Sequence, residues 1–447
     1  MDKILEICKK NKKIIMAIFL IGLFGYYLIW TVSQPYNSCP DEKMKWDICK
    51  YIAEHNSIPD GRDESIRDSA WGISYAFQPI LTYMICAVFV KIASIFTTQQ
   101  FALVVAARLV STISMTLTIY FVIKIANKLF KDKRIYKYLF IVFIAFQPIT
   151  AFLASYINND STAILAISMI IYLWILGLES NWKIKHCILL GGAVGFCALT
   201  YYNAYGYILC SVLICLSSAV LNKMGTKEIA KKALIVASVA FAVAGWWFVR
   251  NAIIYDGDIL GTKTQNEYGN KYALEQYKPS LRKTPENSNE SIWHMLDEDA
   301  WANTTAKSFV GIFGYHSILM SNKIYYSYLG LWLIGGLGCL LKFKDLFIYK
   351  KEEKSKYILN YIFVIAIIIP ILLSIIYSYT SDFQPQGRYI MGIIIPFVYF
   401  VVNGIQTMLE KFIKSEKIRN IIIIMIMLLI IAISFKAIFS YVIPAYN

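Results

Sequence analysis

The sequence predicts an all-α protein that crosses a membrane many times, and three observations point to this fold class. Apolar residues make up 57% of the 447-residue chain. Charged residues make up only 16%, whereas soluble domains have about 25%. Long uncharged runs recur along the whole chain, whose mean hydropathy is +0.52. This composition excludes a soluble enzyme, a disordered chain and a nucleic-acid-binding protein.

Twelve apolar runs are candidates for membrane spans. They cover 14–31, 79–96, 101–123, 137–156, 161–178, 187–201, 205–221, 233–254, 325–341, 357–379, 389–409 and 420–441. The first run is too long for the apolar part of a cleaved signal peptide, and the lysines before it indicate a cytoplasmic start. If all twelve runs crossed, the lysine-rich segment 124–137 would be external, against the tendency of basic loops to stay inside. One early run therefore does not cross.

The run 79–96 is the best candidate for the run that does not cross. It opens with Gln78-Pro79, contains Lys91, and is joined to the next run by only Thr97–Gln100. We interpret it as a helix that lies on or dips into the outer face of the membrane. The prediction is then eleven spans, with the N-terminus inside and the C-terminus outside.

This topology separates the basic clusters from the long loops. The cytoplasmic clusters are 3–13, 124–137, 183–185, 223–232, 342–356 and 411–419, and the external segments are 32–100, 156–160, 255–324 and 380–388. We predict one integral membrane domain over 1–447. Its external loop 31–100 carries juxtamembrane helices and an acidic motif, and its external loop 255–324 is a mobile flap followed by an amphipathic helix.

Three acidic residues fall on the predicted outer face. Asp41 and Glu42 follow Pro40 in the first external loop, and apolar residues at helical spacing from Met44 to Ile52 predict that a helix begins there. Asp160 lies just after the span 137–156 emerges. Each carboxylate is explained equally well as a helix cap or as a catalytic group, because both roles favour acids at helix N-termini.

Basic side chains reach the same face. They are Arg108 early in its span, Arg250 with Asn251 at the outer end of another, and Arg388 in the segment Gln386–Tyr389. Each arginine alone is explained by contact with lipid phosphates. Acids that activate a hydroxyl, together with arginines that hold phosphate, are the groups needed for transfer from a phosphate leaving group.

Four segments in order resemble the GT-C glycosyltransferases, a superfamily that includes protein O-mannosyltransferases and lipid A aminoarabinose transferases. They are Pro40-Asp41-Glu42, Trp247-Phe248-Val249-Arg250-Asn251, Ser308-Phe309-Val310-Gly311-Ile312-Phe313-Gly314-Tyr315 and Gln386-Gly387-Arg388-Tyr389. The resemblance is closest to a group of bacterial multi-spanning proteins with similar segments, and it covers about 14–409.

The resemblance implies transfer of a sugar from a polyprenyl-phosphate donor to an acceptor hydroxyl of a cell-envelope glycan, lipid or protein. It implies an inverting reaction on the external face of the cell membrane, a bacterial plasma membrane, with Asp41 as the general base. Glu42 and Asp160 would orient acceptor or sugar. The residues expected to contact substrate are Arg108, Arg250, Asn251, His316, Gln386 and Arg388.

The sequence also departs from the family pattern. Lys45 stands where many relatives carry His, and Gln78-Pro79 replaces a Pro-Pro pair. Asn158-Asn159-Asp160 is not the Asp-x-Asp of metal-dependent oligosaccharyltransferases. We therefore expect neither a metal nor another cofactor.

Two further questions stay open at the level of sequence. A transporter or flippase of a lipid-linked saccharide is the main alternative, although ionisable residues at mid-membrane depth and inverted repeats, which are typical of transporters, are not evident. A polymerase or ligase of another membrane fold is a third possibility.

Among the nine cysteines, Cys39 and Cys49 share a polar loop and could form a disulfide.

Overall fold

The computed structural model describes residues 11–131 and 133–446, and it is almost entirely helical, as the fold class predicts. Residues 3–10 of the first basic cluster lie outside the described residues. The α-helices are α1 (Lys12–Ser33), α2 (Glu42–His55), α3 (Leu81–Ala93), α4 (Gln100–Leu129), α5 (Arg134–Phe146), α6 (Pro148–Leu153), α7 (Asp160–Ser180), α8 (Ile184–Ala198), α9 (Gly206–Leu221), α10 (Thr226–Ile254), α11 (Thr262–Tyr272), α12 (Ile292–Asp297), α13 (Trp301–Gly311), α14 (Asn322–Leu341), α15 (Phe343–Phe347), α16 (Lys354–Thr380), α17 (Ile394–Phe412), α18 (Glu416–Lys436) and α19 (Ile443–Tyr446). The strands β1 (Ile312–Phe313) and β2 (Ile318–Leu319) form one antiparallel hairpin.

Nine helices in the described part of the chain have the length and apolar composition needed to cross a membrane. The predicted span 187–201 corresponds to α8, a shorter apolar helix of 15 residues. The predicted span 137–156 is two helices rather than one, because the chain breaks between α5 and α6. Eleven crossings stay a prediction, as does the side of the membrane on which each end lies.

The break between α5 and α6 has a local cause. Pro148 is the first residue of α6, and Gln147 before it adopts an extended conformation with ψ 127°. A proline ring disfavours the helical conformation of the preceding residue, so α5 ends there. The freed side chain of Gln147 donates a hydrogen bond to the carbonyl of Phe309. The break therefore joins this span to α13.

Helices α1 and α4 run antiparallel, so α4 ends on the side of the bundle where α1 begins. The hydroxyls of Thr31 and Thr112 are 2.9 Å apart, and Arg108 Nη1 donates to the Gln34 carbonyl at 2.7 Å. Between them, α3 has 13 residues and is about 20 Å long, short of the roughly 30 Å of a bilayer interior. It packs beside α2 and α4. This is the arrangement expected of a helix that does not cross.

Basic segments from different helices meet at the opposite end of the bundle. Lys128 Nζ lies 2.6 Å from a carboxylate oxygen of Glu179, and Lys232 Nζ donates to the Asn181 carbonyl at 3.0 Å. At the acidic end, the hydroxyl of Tyr446 donates to the Ser38 carbonyl at 3.3 Å. The C-terminus thus lies at the same end as the acidic motif, as the predicted topology requires.

The loop 255–324 is folded onto the loop 31–100. Its helix α11 places the ring of Tyr272 3.9 Å from the guanidinium of Arg67, and the amide of Leu274 donates to the Ala70 carbonyl at 2.9 Å. The part of this loop that the sequence predicts to be a mobile flap contains α11, and its mobility stays a prediction. The part that follows contains α12 and α13.

Cys39 and Cys49 are separate free thiols, so the disulfide considered from the sequence is not formed. Cys39 Sγ donates to Gln34 Oε1 at 2.9 Å. Cys49 packs with Cys86 in a different apolar cluster. Burial of each side chain in its own cluster keeps the two sulfur atoms apart.

Candidate active site

Asp41 occupies the position just before α2 but does not cap that helix with its side chain. Its backbone has φ 58° and ψ 14°, a left-handed conformation that costs a residue other than glycine about 1–3 kcal/mol. Its carboxylate accepts no hydrogen bond from the first turn of α2. The capping interpretation therefore does not account for the carboxylate, which is turned toward other groups.

The carboxylate of Asp41 faces two cations. Its Oδ2 accepts a hydrogen bond from Arg388 Nη2 at 3.1 Å and lies 3.7 Å from Lys45 Nζ. Burial raises the pKa of Asp41, but the charges of Lys45 and Arg388 and a hydrogen bond from Tyr75 outweigh it and hold the pKa below its ordinary value. The side chain is 29% exposed. Asp41 is therefore an ionised carboxylate that a substrate can reach.

Lys45 is a buried cation one helical turn after Asp41. It is 2% exposed, donates to the Pro40 carbonyl at 3.4 Å, and lies over the rings of Tyr75 and Tyr156 at 5.3 and 5.8 Å. Burial lowers the pKa of Lys45, while the carboxylates of Asp41 and Asp160 act in the opposite direction. From the sequence Lys45 was singled out only as a departure from the family pattern, although four residues is the spacing at which side chains along a helix lie close together.

Arg388 connects two of the segments that the sequence singled out. Its Nε donates to Gln386 Oε1 at 2.7 Å, and its Nη2 donates to the Tyr389 hydroxyl at 3.1 Å. A Cβ on Gly387 would clash with the backbone of Phe309, so only glycine lets this segment approach α13. In the described residues Nη1 makes no hydrogen bond. One arm of the guanidinium is therefore available to a ligand.

A cleft lies beside Arg388. Asp160, the first residue of α7, is 5% exposed and lines it beside Tyr389. Below Asp160, the apolar residues Ala163, Ile164 and Ile167 line one face of α7. The remaining lining residues are Tyr201, Asn203, Ala204, Met391 and Gly392. The cleft thus has a charged head and an apolar wall that descends along a membrane helix.

Arg388 also lines a second cleft, which contains Pro40. His316 lines it with φ 64°, and its buried Nε2 has no hydrogen-bond partner among the described residues. Burial and the charge of Arg388 lower the pKa of His316, so the ring is neutral at neutral pH. The remaining lining residues are Ile149, Phe152, Ser308, Ile312, Gly314 and Gln386.

Glu42 and Arg108 form a closed ion pair away from both clefts. Both side chains are fully buried, and Arg108 Nε and Nη2 each donate to a carboxylate oxygen at 2.7 Å. The amide of Ile157 also donates to Glu42 at 3.2 Å. These contacts leave neither side chain free to bind acceptor or donor, which is the role the sequence suggested for each.

Arg250 and Asn251 hold a neighbouring loop. Arg250 Nη2 donates to the Pro59 carbonyl at 2.8 Å, and Nη1 donates to Asn251 Oδ1 at 3.2 Å. Asn251 Nδ2 donates to the Ile259 carbonyl at 3.3 Å. Among the described residues neither side chain bonds to Asp41, Asp160 or Arg388. The structure thus brings Asp160, Gln386, Arg388 and His316 to the lining of the two clefts, places Asp41 in contact with Arg388, and uses Arg250 elsewhere.

A candidate cation group lies in the loop 255–324. Among the described residues, Glu290, His294 and Asp299 place one ligand atom each within 4.8 Å of the others. Asp41, Glu42 and Asp160 do not form such a group.

Comparison with known proteins identifies a family and a fold. A family model described as predicted membrane protein (DUF2142) matches residues 67–398. No curated protein matches the sequence. The archaeal oligosaccharyltransferase AglB from Archaeoglobus fulgidus, in complex with an inhibitory peptide and a dolichol-phosphate, is similar with a TM-score of 0.54 at 13% identity, over 95% of this chain and 55% of its own. The same enzyme in complex with Zn and sulfate gives a TM-score of 0.56 at 12% identity, over 93% and 52%.

ArnT from Cupriavidus metallidurans, bound to undecaprenyl phosphate, gives a TM-score of 0.42 at 12% identity, over 88% of this chain and 77% of its own. This chain spans about half the length of AglB. At this identity the likeness to AglB concerns the fold, which is that of the GT-C glycosyltransferases. The fold that the four sequence segments implied is thereby confirmed.

Proposed function

The chain belongs to the DUF2142 family of membrane proteins, and from this premise and its GT-C fold we propose that it transfers a sugar from a polyprenyl-phosphate donor to an acceptor hydroxyl. The observation that carries the proposal is the hydrogen bond of 3.1 Å between Asp41 and Arg388, because Arg388 lines both clefts. A carboxylate and a guanidinium in contact supply the proton acceptor and the phosphate ligand that the reaction requires.

The cleft beside Asp160 is the side we assign to the donor. Its apolar wall of Ala163, Ile164 and Ile167 suits an isoprenoid chain, and the free arm of Arg388 suits the phosphate at its head. A solved structure of the similar AglB contains a dolichol-phosphate, which is a lipid of this class. Asp160 would then accept hydrogen bonds from hydroxyls of the sugar.

The cleft beside Pro40 is the side we assign to the acceptor. His316 Nε2 has no partner there, and a buried polar atom without one is costly unless a ligand supplies it. Gln386 and Ser308 add polar atoms to the same wall. These groups would hold an acceptor whose hydroxyl points across Arg388 toward the sugar.

The proposed reaction is a single displacement with inversion. The acceptor oxygen forms a bond to the anomeric carbon while its proton passes to the carboxylate of Asp41. The bond between the anomeric carbon and the phosphate oxygen breaks, and its electron pair leaves on the polyprenyl phosphate. The guanidinium of Arg388 stabilises the leaving phosphate. A positioned base contributes about 10²–10⁴-fold to such a rate.

Glu42 and Arg108 act in this proposal as a brace rather than as ligands of substrate. Arg108 donates to the carbonyls of Thr31, Gln34 and Pro35 as well as to Glu42. The pair therefore fixes the chain that leads into Asp41. Arg250 and Asn251 fix the neighbouring loop through Pro59 in the same way. We accordingly propose positioning roles for these four side chains.

The test is consumption of a lipid-linked donor by the purified protein. Detergent-solubilised protein is incubated with short-chain polyprenyl-phosphate hexoses and pentoses, and release of polyprenyl phosphate is followed by mass spectrometry. We expect release from at least one donor and much less with the Asp41→Asn variant. Movement of the intact donor across a proteoliposome membrane, without cleavage of any donor in the panel, would instead identify a flippase and refute the proposal.

A further inference from the structure

The two carboxylates nearest the clefts are balanced by two built-in cations. Asp41 contacts Arg388 at 3.1 Å and Lys45 at 3.7 Å, and Lys45 and Arg388 are only 2% and 9% exposed. Asp160 is 5% exposed and acts electrostatically on the same two cations. Two negative charges therefore face two positive charges in an enclosure that excludes most water.

The remaining groups do not fit a divalent cation at this place. Asn158 donates to the carbonyls of Leu153 and Tyr156 at 2.8 and 2.7 Å, and its Oδ1 accepts from the amide of Ser161 at 2.8 Å. Both N–H groups of its amide and one lone pair of its oxygen are thus used in starting α7. The carboxylate of Glu42 is occupied by Arg108, as described above, and that of Asp382 is paired with Arg282 at 3.3 Å. Asp41 and Asp160 are left as the anionic side chains, and a cation already stands beside Asp41.

We propose that the ammonium of Lys45, which lies beside Asp41, supplies to Asp41 and Asp160 the positive charge that a divalent metal ion would otherwise supply, so that the site works without one. Lys45 is then a positioning residue, because it acts on substrate only through the two carboxylates. The part of this inference that concerns transfer rests on the proposed function, whereas the part that concerns cation binding does not.

The groups around Lys45 stabilise a positive charge at its ammonium. The rings of Tyr75 and Tyr156 lie under its ammonium, and the carbonyl of Pro40 accepts one of its protons. Its removal would leave two carboxylates near each other with one fewer compensating charge. Such a pair either takes up a proton or attracts a divalent cation, since hard cations prefer carboxylate oxygens.

The experiment measures binding of Mn²⁺ to purified protein by electron paramagnetic resonance. All variants carry His294→Ala, which removes the imidazole ligand of the candidate group in the loop 255–324. In the His294→Ala background, we expect that the further change Asp160→Asn does not lower the amount of bound Mn²⁺, because Lys45 keeps the ion from binding there. Adding Lys45→Ala should create a site that binds Mn²⁺ at least tenfold more tightly and that Asp160→Asn abolishes. Lys43→Ala, at an exposed position of the same helix, is the matched control and should create none.

The outcomes separate this inference from the proposed function. Mn²⁺ that is bound while Lys45 is present and is released by Asp160→Asn would overturn the inference, whether or not the Lys45→Ala protein folds. So would a folded Lys45→Ala protein that binds no Mn²⁺. Donor consumption that EDTA abolishes and Mn²⁺ restores would overturn it while leaving a glycosyltransferase. The expected binding pattern without consumption of any donor would support Lys45 as the built-in cation and count against the proposed function.

Discussion

Asp41 and Glu42 are neighbours in the sequence, and each is paired with an arginine, but the two pairs differ in burial and in hydrogen bonding. Glu42 and Arg108 are fully buried and joined by two hydrogen bonds of 2.7 Å. Asp41 and Arg388 are 29% and 9% exposed and are joined by one hydrogen bond of 3.1 Å.

The difference lies in how much hydrogen-bonding capacity each pair has left. All five N–H groups of Arg108 donate to acceptors within the protein. Arg388 keeps one arm uncommitted, and it lines both clefts. A saturated pair stabilises the fold, whereas a pair with spare capacity can bind a substrate. Residue type alone does not distinguish the two cases.

The largest expected effect is the loss of protein stability when the buried pair of Glu42 and Arg108 is broken. Arg108→Ala leaves the carboxylate of Glu42 buried without its partner, and breaking a buried pair in this way costs about 3–5 kcal/mol. We expect a clear loss of thermal stability in detergent, measured by the fraction of monodisperse protein after heating. Arg62→Ala breaks a pair with Asp60 that is about one-third exposed and should cost at most about 1 kcal/mol. Equal stability of the two variants would contradict the comparison.

The next largest effect is a loss of donor consumption when the pair of Asp41 and Arg388 is altered. Arg388→Lys keeps the positive charge but loses the planar fork that binds phosphate through two N–H groups. We expect donor consumption to fall by about tenfold to a hundredfold with little change in stability. Arg250→Lys is the control, because its bonds go to Pro59 and Asn251, and donor consumption should stay near normal. Near-normal consumption by Arg388→Lys would show that the guanidinium does not hold the phosphate.

The smallest effect is a change in pH dependence. In the intact protein the pKa of Asp41 lies below its ordinary value of about 3.9, so the base stays ionised throughout the mildly acidic range. Lys45→Met removes one of the charges that lower this pKa, while burial still raises it. The variant should therefore lose activity on acidification at a higher pH than the unchanged protein. Lys45 and Arg388 contact Asp41 directly, and the other titratable groups that act on it electrostatically are Tyr75, Tyr83, Asp160, Tyr315, Tyr377, Asp382 and Tyr389.

This pH profile separates electrostatic support from ordinary packing. If Lys45 only fills space, Lys45→Met should scale the rate equally at every pH. A profile parallel to that of the unchanged protein would thus contradict the electrostatic role. Lys43→Met, whose ammonium is exposed and paired with Asp47, should leave the profile where it is.

The sequence was most informative where one physical rule dominated. Basic clusters and hydropathy predicted the helical membrane fold and singled out 79–96, which corresponds to the short helix α3. Hydropathy could not detect the break at Pro148, because a broken span is as apolar as a continuous one. The segments around Asp41 and Arg388 were recognised from the sequence, but their contact joins positions 347 residues apart. The different fates of Asp41 and Glu42 depend on which arginine each one reaches, and that is set by tertiary packing.

The most direct test of the central claim compares Asp41→Asn with Glu42→Gln in the same preparation. Asparagine tolerates a left-handed backbone and has nearly the size of aspartate, so Asp41→Asn removes the proton acceptor, and it also removes the negative charge that faces Lys45 and Arg388. Transfer from the polyprenyl-phosphate donor is measured together with the melting temperature. We predict that Asp41→Asn loses at least about a hundredfold in rate in protein that stays folded, and that Glu42→Gln, whose carboxylate is fully buried, loses more stability. Near-normal transfer by Asp41→Asn, or a loss of melting temperature as large as that of Glu42→Gln, would contradict the assignment of Asp41 as the base.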